Sequence, residues 1–212
     1  MRIRPELEFY ARDSLKVARD LLGAHVTSRV AGTDTTIRIT EVEAYRGQED
    51  PGSHAYRGET KRTAVMFGPP GHLYVYFTYG MHWCMNVVCG ATGTASAVLL
   101  RAGEVVSGLE AVRERRVSAR RDIDLARGPA RLTTALGLDG SANGLNLLSP
   151  QATVQITCEA DGSGAVRNSQ ISTGGRVGVS GPGGDGDTYP WRLWITSDPT
   201  VSQYRPGKVR RR

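Results

Sequence analysis

Side-chain alternation with a period of two confines much of this chain to an antiparallel sheet. Residues 24–30 and 35–45 alternate in the manner of strands, and Gly32-Thr33-Asp34 between them reads as a hairpin turn. Residues 72–78 and 82–88 are apolar strands rich in aromatics, with Gly80-Met81 as the turn. Successive side chains on a strand point to opposite faces. Ile37, Ile39, Glu41 and Glu43 are therefore expected on one face of the second strand, and Tyr74, Tyr76 and Thr78 on one face of the third. Val75, Phe77 and Tyr79 take the other face, with Tyr79 at the hairpin tip before Gly80.

The remaining segments fit around these hairpins. Residues 5–23 carry a partial helical stripe, with Asp13 as a cap and Gly23 as a stop. Residues 46–70 are rich in Gly, Pro and charge and read as one long ordered loop, a length often tied to function. Residues 96–102 form another strand, which carries Arg101. Residues 109–127 begin as a helix and continue as a basic connector holding Arg113, Arg115, Arg116, Arg120 and Arg121. Gly128-Pro129 opens a second helix that runs to about Leu136, since Pro suits a first turn. Residues 152–159 and 191–196 read as strands, and 161–188 as a Gly-, Ser- and Asp-rich segment. The closing residues 205–212 hold five basic side chains and are expected to be a disordered tail.

Composition narrows the classes of function. A chain of 212 residues with 39% hydrophobic and 23% charged residues can bury a full core. No apolar run approaches the roughly 18 residues that would cross a bilayer. The segment after Met1 has no apolar signal core, so a cytoplasmic, non-secreted protein is expected. Cys84, Cys89 and Cys158 lack zinc spacing and are odd in number, which reads as buried thiols in a reducing compartment. The net charge of +6 draws the chain toward polyanions, though many basic proteins have no such partner.

Several residue types carry chemistry. Two carboxylates on one strand face can split their proton affinities, leaving one as a general base; the bland alternative is that Glu41, Glu43 or both pair with Arg38 or Arg101. An aromatic hairpin is more often core than ligand site, yet a tip tyrosine beside Gly can wedge into a base stack. His54 lacks a metal-spaced partner; the four histidines are scattered, and HExxH and CxxC are absent, so no metal site is expected. Asn86, inside an apolar strand, must either satisfy a backbone group or present its amide to a ligand. A buried Arg101 needs a carboxylate, and Glu41 and Glu43 are the candidates. Gly181-Pro-Gly-Gly-Asp-Gly186 lacks the Gly-Lys-Ser/Thr ending of a phosphate loop, and Phe67-Gly-Pro-Pro-Gly71 has the wrong spacing for a dinucleotide. No cofactor is expected.

In combination these motifs resemble the alkyladenine (3-methyladenine) DNA glycosylase family. The likeness runs through Glu41-Val-Glu-Ala-Tyr45, Asp50-Pro-Gly-Ser-His54, Tyr74-Val-Tyr76…Tyr79-Gly-Met81…Cys84-Met-Asn86, Val98-Leu-Leu-Arg-Ala102, Gly128-Pro129, Arg176-Val-Gly-Val179 and Trp191-Arg192. It implies an α+β fold: a single mixed domain over residues 1–204, built around a curved antiparallel sheet with flanking helices. It implies hydrolysis of the N-glycosidic bond of damaged purines in double-stranded DNA, by a monomer. Glu43 matches the general base, and Arg101 and the Val177 carbonyl match groups that hold the attacking water. Tyr45, His54 and Tyr76 match the walls around the extruded base, and Asn86 matches the residue that excludes normal guanine. Tyr79 matches the intercalating wedge, with Met81 its neighbour. Two departures stand out: the Gly-rich run 180–187 replaces a more usual Ala-Gly-Glu-Trp-like run, and His82 replaces a tyrosine. The competing readings are a non-catalytic damaged-DNA or RNA binding module on the same scaffold, and an enzyme acting on free nucleosides.

Overall fold

A computed structural model describes residues 2–30, 32–78, 80–159 and 166–207. Among the described residues nine strands form one open, antiparallel sheet: β1 (Arg2–Ile3), β2 (His25–Val30), β3 (Thr33–Arg46), β4 (Leu73–Thr78), β5 (His82–Cys89), β6 (Ser96–Ser107), β7 (Val154–Glu159), β8 (Ile171–Gly174) and β9 (Arg192–Ile195). Five short helices flank it: α1 (Leu7–Tyr10), α2 (Ser14–Leu21), α3 (Ala64–Phe67), α4 (Leu109–Arg115) and α5 (Pro129–Ala135). The order across the sheet is β1-β7-β2-β3-β6-β5-β4, with β9 paired to β3 and β8. This is the expected α+β class.

The spine is β3. One edge pairs along its length with β6; the other pairs first with β2, at residues 33–38, and then with β9, at residues 41–43. The register against β6 slips twice in the middle. Ile39 faces Gly103, Glu41 faces Ala102 and Val42 faces Leu100, so Thr40 is an extra residue on β3 and Arg101 one on β6. A bulge changes which residues share a face. Ile37 and Ile39 consequently join Val42 and Ala44 in the main core, while Glu41 and Glu43 turn to the opposite face. The single face expected for Ile37, Ile39, Glu41 and Glu43 is corrected by this bulge. Thr40 is itself buried, and its hydroxyl lies 2.8 Å from that of Thr200.

Beyond the bulge the two faces separate cleanly. Leu73 and Val75 of β4, Met85, Val87 and Cys89 of β5, and Val98 and Leu100 of β6 share the main core with Val17 and Leu21 of α2 and Leu132 of α5. The alternate residues of those strands, Tyr74, Tyr76, Cys84, Asn86, Leu99 and Arg101, line a cleft together with Glu43 and Tyr45 of β3.

Other elements depart from the sequence reading in local ways. The helix expected over 5–23 is two helices, because the Asp13 carboxylate accepts from the Leu15 N–H at 2.9 Å and starts a new one. The long loop 46–70 contains α3. Strand β8 lies inside the Gly-rich segment, where four residues beside β9 are too few to show alternation. In the expected tail, the Arg205 carbonyl accepts from the Gly178 N–H at 2.9 Å, so residues 205–207 begin against the body of the fold; residues 208–212 lie outside the described residues. Among the described residues no helix is long and apolar enough to cross a membrane.

Candidate active site

The cleft has a volume of about 440 Å³ and opens on the face of the sheet opposite the main core. At its floor lies a buried ionic network made by the bulge. Glu41 and Glu43 are both fully buried, and Arg101 is 5% exposed. The Arg101 Nε donates to Glu41 Oε1 at 3.0 Å, and its Nη1 lies 3.2 Å from Glu43 Oε1. Glu41 has four donors: Oε1 also accepts from Arg192 Nε at 2.6 Å and Ser202 Oγ at 3.0 Å, and Oε2 accepts from the Ser202 N–H at 2.8 Å. Burial alone would lower the proton affinity of Arg101, but Glu43 and Glu41 more than offset it and the net direction is up. Glu41 thus anchors Arg101, and Glu43 faces the cleft.

Glu43 has two hydrogen-bond donors and an ion-pair partner. Val177 N–H reaches Oε1 at 2.7 Å, Arg101 sits beside the same oxygen, and the Tyr45 hydroxyl donates to Oε2 at 2.8 Å. Burial first, and then the nearby Glu43 charge, raise the Tyr45 phenol well above its ordinary range, so it stays a donor. Of Val177, the structure shows the N–H holding the carboxylate.

Aromatic rings make the walls. Tyr74 and Tyr76 stack with centroids 5.5 Å apart and 25° between planes. His54 stands edge-on to Tyr76 at 4.6 Å and 88°, with Nδ1 3.3 Å from the Tyr74 hydroxyl. Burial, and to a smaller degree Arg62, lower His54 to about 4, so its imidazole is neutral at pH 7. Burial raises the Cys84 thiol to about 11, which keeps it protonated. Asn86, also on this wall, donates from Nδ2 to the Tyr74 carbonyl at 3.1 Å, so the amide satisfies a backbone group while lining the cleft. Met81 is 67% exposed at the β4–β5 turn. Tyr79, the expected wedge, lies outside the described residues.

Sequence reasoning missed the clamp behind these walls. Arg176 is 1% exposed. Its guanidinium meets Asp50 in a two-pronged pair at 2.5 and 2.7 Å, donates to the Ala44 carbonyl at 3.2 Å and the Gly183 carbonyl at 2.7 Å, and lies 4.6 Å from the Tyr45 ring centroid. One side chain therefore ties β3, the loop of Asp50 and His54, and the Gly-rich run. Gly52 makes this possible: a Cβ there would come within 2.9 Å of Val179 and collide with the Arg176 guanidinium. The available signal was an arginine inside the apolar Arg176-Val-Gly-Val179 stretch, which demands a carboxylate, and the position of Asp50 in a Pro-Gly loop. Arg192 and Ser202 gave less, since their partner Glu41 is far away in sequence.

A model of the family described as "Methylpurine-DNA glycosylase (MPG)" matches residues 8–199. Proteins carrying the name "Putative 3-methyladenine DNA glycosylase" are similar throughout. That of Streptomyces avermitilis is 54% identical over 97% of this chain and 93% of its own length. That of Nocardia farcinica is 50% identical over 91% and 88%, and that of Leifsonia xyli subsp. xyli 47% identical over 95% and 93%. The chain belongs to the methylpurine-DNA glycosylase family. It is an enzyme of DNA repair, a DNA glycosylase whose substrate is DNA.

Removing one partner of a buried ion pair strands the other charge. Asp50→Asn is expected to lower stability by about 3–5 kcal/mol, read from urea unfolding followed by tryptophan fluorescence. A loss under about 1 kcal/mol would mean the Arg176 clamp is dispensable.

Proposed function

We propose that the protein extrudes an alkylated or deaminated purine, 3-methyladenine among them, from duplex DNA and hydrolyses its N-glycosidic bond with a water activated by Glu43. The observation that carries this reading is the state of Glu43: fully buried, at the floor of an aromatic cleft, with its oxygens held by two hydrogen bonds and the Arg101 ion pair. A carboxylate offers about four lone-pair sites. The Val177 N–H takes one on Oε1, where Arg101 pairs ionically, and the Tyr45 hydroxyl takes one on Oε2, which leaves a site on Oε2 to take a proton from water.

The steps follow from the residues. A base inside a duplex is out of reach, and extrusion costs a few kcal/mol. Stacking against Tyr45, His54 and Tyr76 returns about 1–3 kcal/mol per base and tolerates varied lesions, since every base has a π-face. Tyr79, with Met81 beside it, fills the gap in the stack. An alkylated purine carries positive charge, which suits electron-rich rings. When the N-glycosidic bond breaks, its electron pair goes to the purine and neutralises it. The sugar becomes oxocarbenium-like, and the Glu43 charge stabilises it. Water held by Arg101 and the Val177 carbonyl adds its oxygen to C1′ and gives a proton to Glu43. The products are a free purine and an abasic site. A neutral purine needs protonation as it leaves. His54, neutral at pH 7, is not a cationic acid for that step, which favours charged lesions.

The electrostatics fit a DNA substrate. Within the expected basic cluster, Arg113 is spent on Glu110 and Asp122, and Arg121 on Asp124. Arg116, which also donates to the Leu125 carbonyl, and Arg120 line a second cleft with Arg131, from outside that cluster, and His82, which also borders the aromatic one. A binding module without catalysis has no use for a buried Glu43 with an open acceptor site facing the cleft, and an enzyme of free nucleosides has none for this basic rim.

Glu43→Gln keeps the shape of the site and removes the proton acceptor. Its affinity for a duplex with one methylated purine should stay within a few-fold of wild type by fluorescence anisotropy, while single-turnover release falls by at least roughly a thousandfold. Wild-type release from the variant would remove Glu43 from the mechanism. Asn86→Gly should raise release of guanine or its methylated forms in a competition between guanine- and adenine-derived lesions; an unchanged ratio would show that Asn86 is no gatekeeper.

A further inference from the structure

We propose that residues 202–207, together with Arg131 across from them, form a binding site for a phosphate of the DNA strand that carries the extruded nucleotide. The inference rests on the base-excision reading, because that reading puts a nucleotide in the aromatic cleft. A further cleft of about 520 Å³ adjoins that one, and the two share Arg101, Pro129, Ala130 and Val177. A purine in the aromatic cleft has its sugar at this junction, beside Glu43, Arg101 and Val177. The phosphates attached to that sugar then fall in the adjoining cleft.

The charges there suit a phosphodiester. Arg127, Arg131 and Arg205 line the cleft, and Asp124 is the acid among the lining residues. Arg127 is committed, donating to the Val201 carbonyl at 2.8 Å and lying 3.4 Å from Asp124. Arg101 is committed to the two glutamates. Arg131 and Arg205 are exposed, and among the described residues neither guanidinium has a hydrogen-bond or ion-pair partner. A guanidinium fork matches phosphate oxygens in pairs. Gln203, on the same strap, lines the cleft beside them.

The strap is held at both ends. Ser202 donates its N–H and hydroxyl to Glu41, and its carbonyl accepts from Arg192 at 2.8 Å. The Arg205 carbonyl accepts from the Gly178 N–H, one residue beyond the Val177 that holds Glu43. A phosphate gripped by Arg205 is thereby placed relative to the catalytic carboxylate by short, hydrogen-bonded backbone. The family match ends at residue 199, before this strap.

The test uses a duplex with one methylated purine, and two versions in which the phosphodiester on one or the other side of the lesion is an uncharged methylphosphonate. For the wild type, neutralising one of the two phosphates should weaken binding roughly tenfold. Arg205→Ala should weaken binding of the unmodified duplex by a similar factor and lower the log–log salt slope by roughly 0.9. In that variant, neutralising the same phosphate should cost nothing more, and Arg205→Lys should keep the salt slope. Losses that multiply independently at both positions, or an Arg205→Ala protein with wild-type affinity and slope, would overturn the proposal. Wild-type base release is measured on the same duplexes. Coupling at one phosphate without any release would refute the excision reading and still support the phosphate site.

Discussion

The arrangement of the site depends on Arg101 being shared between Glu41 and Glu43. Each of the three is buried, and none could be so alone, since desolvating a charge costs several kcal/mol without a partner. The pairing requires all three on the same side of the sheet, and regular pleating would have put Glu41 and Glu43 on the face of Ile37 and Ile39. The paired extra residues Thr40 and Arg101 break that pleating on both strands at once. The bulge thus does two things: it leaves the apolar core continuous beneath, and it sets an ionic floor above. Glu41 gives its lone pairs to scaffold donors, and Glu43 keeps one in reserve for the cleft.

The walls depend on a second buried pair. Arg176 on Asp50 fixes the loop that carries His54, supports the Tyr45 ring from behind, and precedes the Val177 N–H that orients Glu43. The Gly-rich run 180–187, unusual against the resembled family, serves this clamp. Gly183 supplies a carbonyl to Arg176 and packs against Gly52 where a side chain would not fit. Its composition reflects close backbone approach at the cleft's edge. His54 and Tyr76 stand perpendicular here, so a planar base cannot lie parallel to both until one ring turns.

Much of the fold was legible because it is written in alternation. The β2–β3 and β4–β5 hairpins, the strand carrying Arg101, and the helix after Gly128-Pro129 lie where periodicity puts them, but Thr33 and Asp34, expected in the first turn, pair with Val30 and Arg29 inside the β2–β3 ladder. What alternation cannot show is its own interruption: nothing in Ile-Thr-Glu marks Thr40 as bulged, so alternation alone puts Glu41 and Glu43 on the face of Ile37 and Ile39. The site was legible in part. The expected residues Glu43, Tyr45, His54, Tyr76, Asn86, Arg101 and Val177 all line one cleft. The structure brings them together; their roles rest on the proposal above. Arg176, Arg192 and Ser202 went unseen because their partners are distant in sequence, and a lone arginine or serine in a strand or strap carries no periodic signal.

In the proposed mechanism water, activated by the Glu43 carboxylate, is the nucleophile. The most direct measurement is single-turnover reaction with an end-labelled duplex bearing one methylated purine, with and without borohydride. A water nucleophile gives free purine, a strand that breaks only after alkali, and no covalent protein–DNA adduct with borohydride. A trapped adduct, or strand breakage without alkali, would show that an amine of the protein attacks the sugar, and would contradict the role given to Glu43.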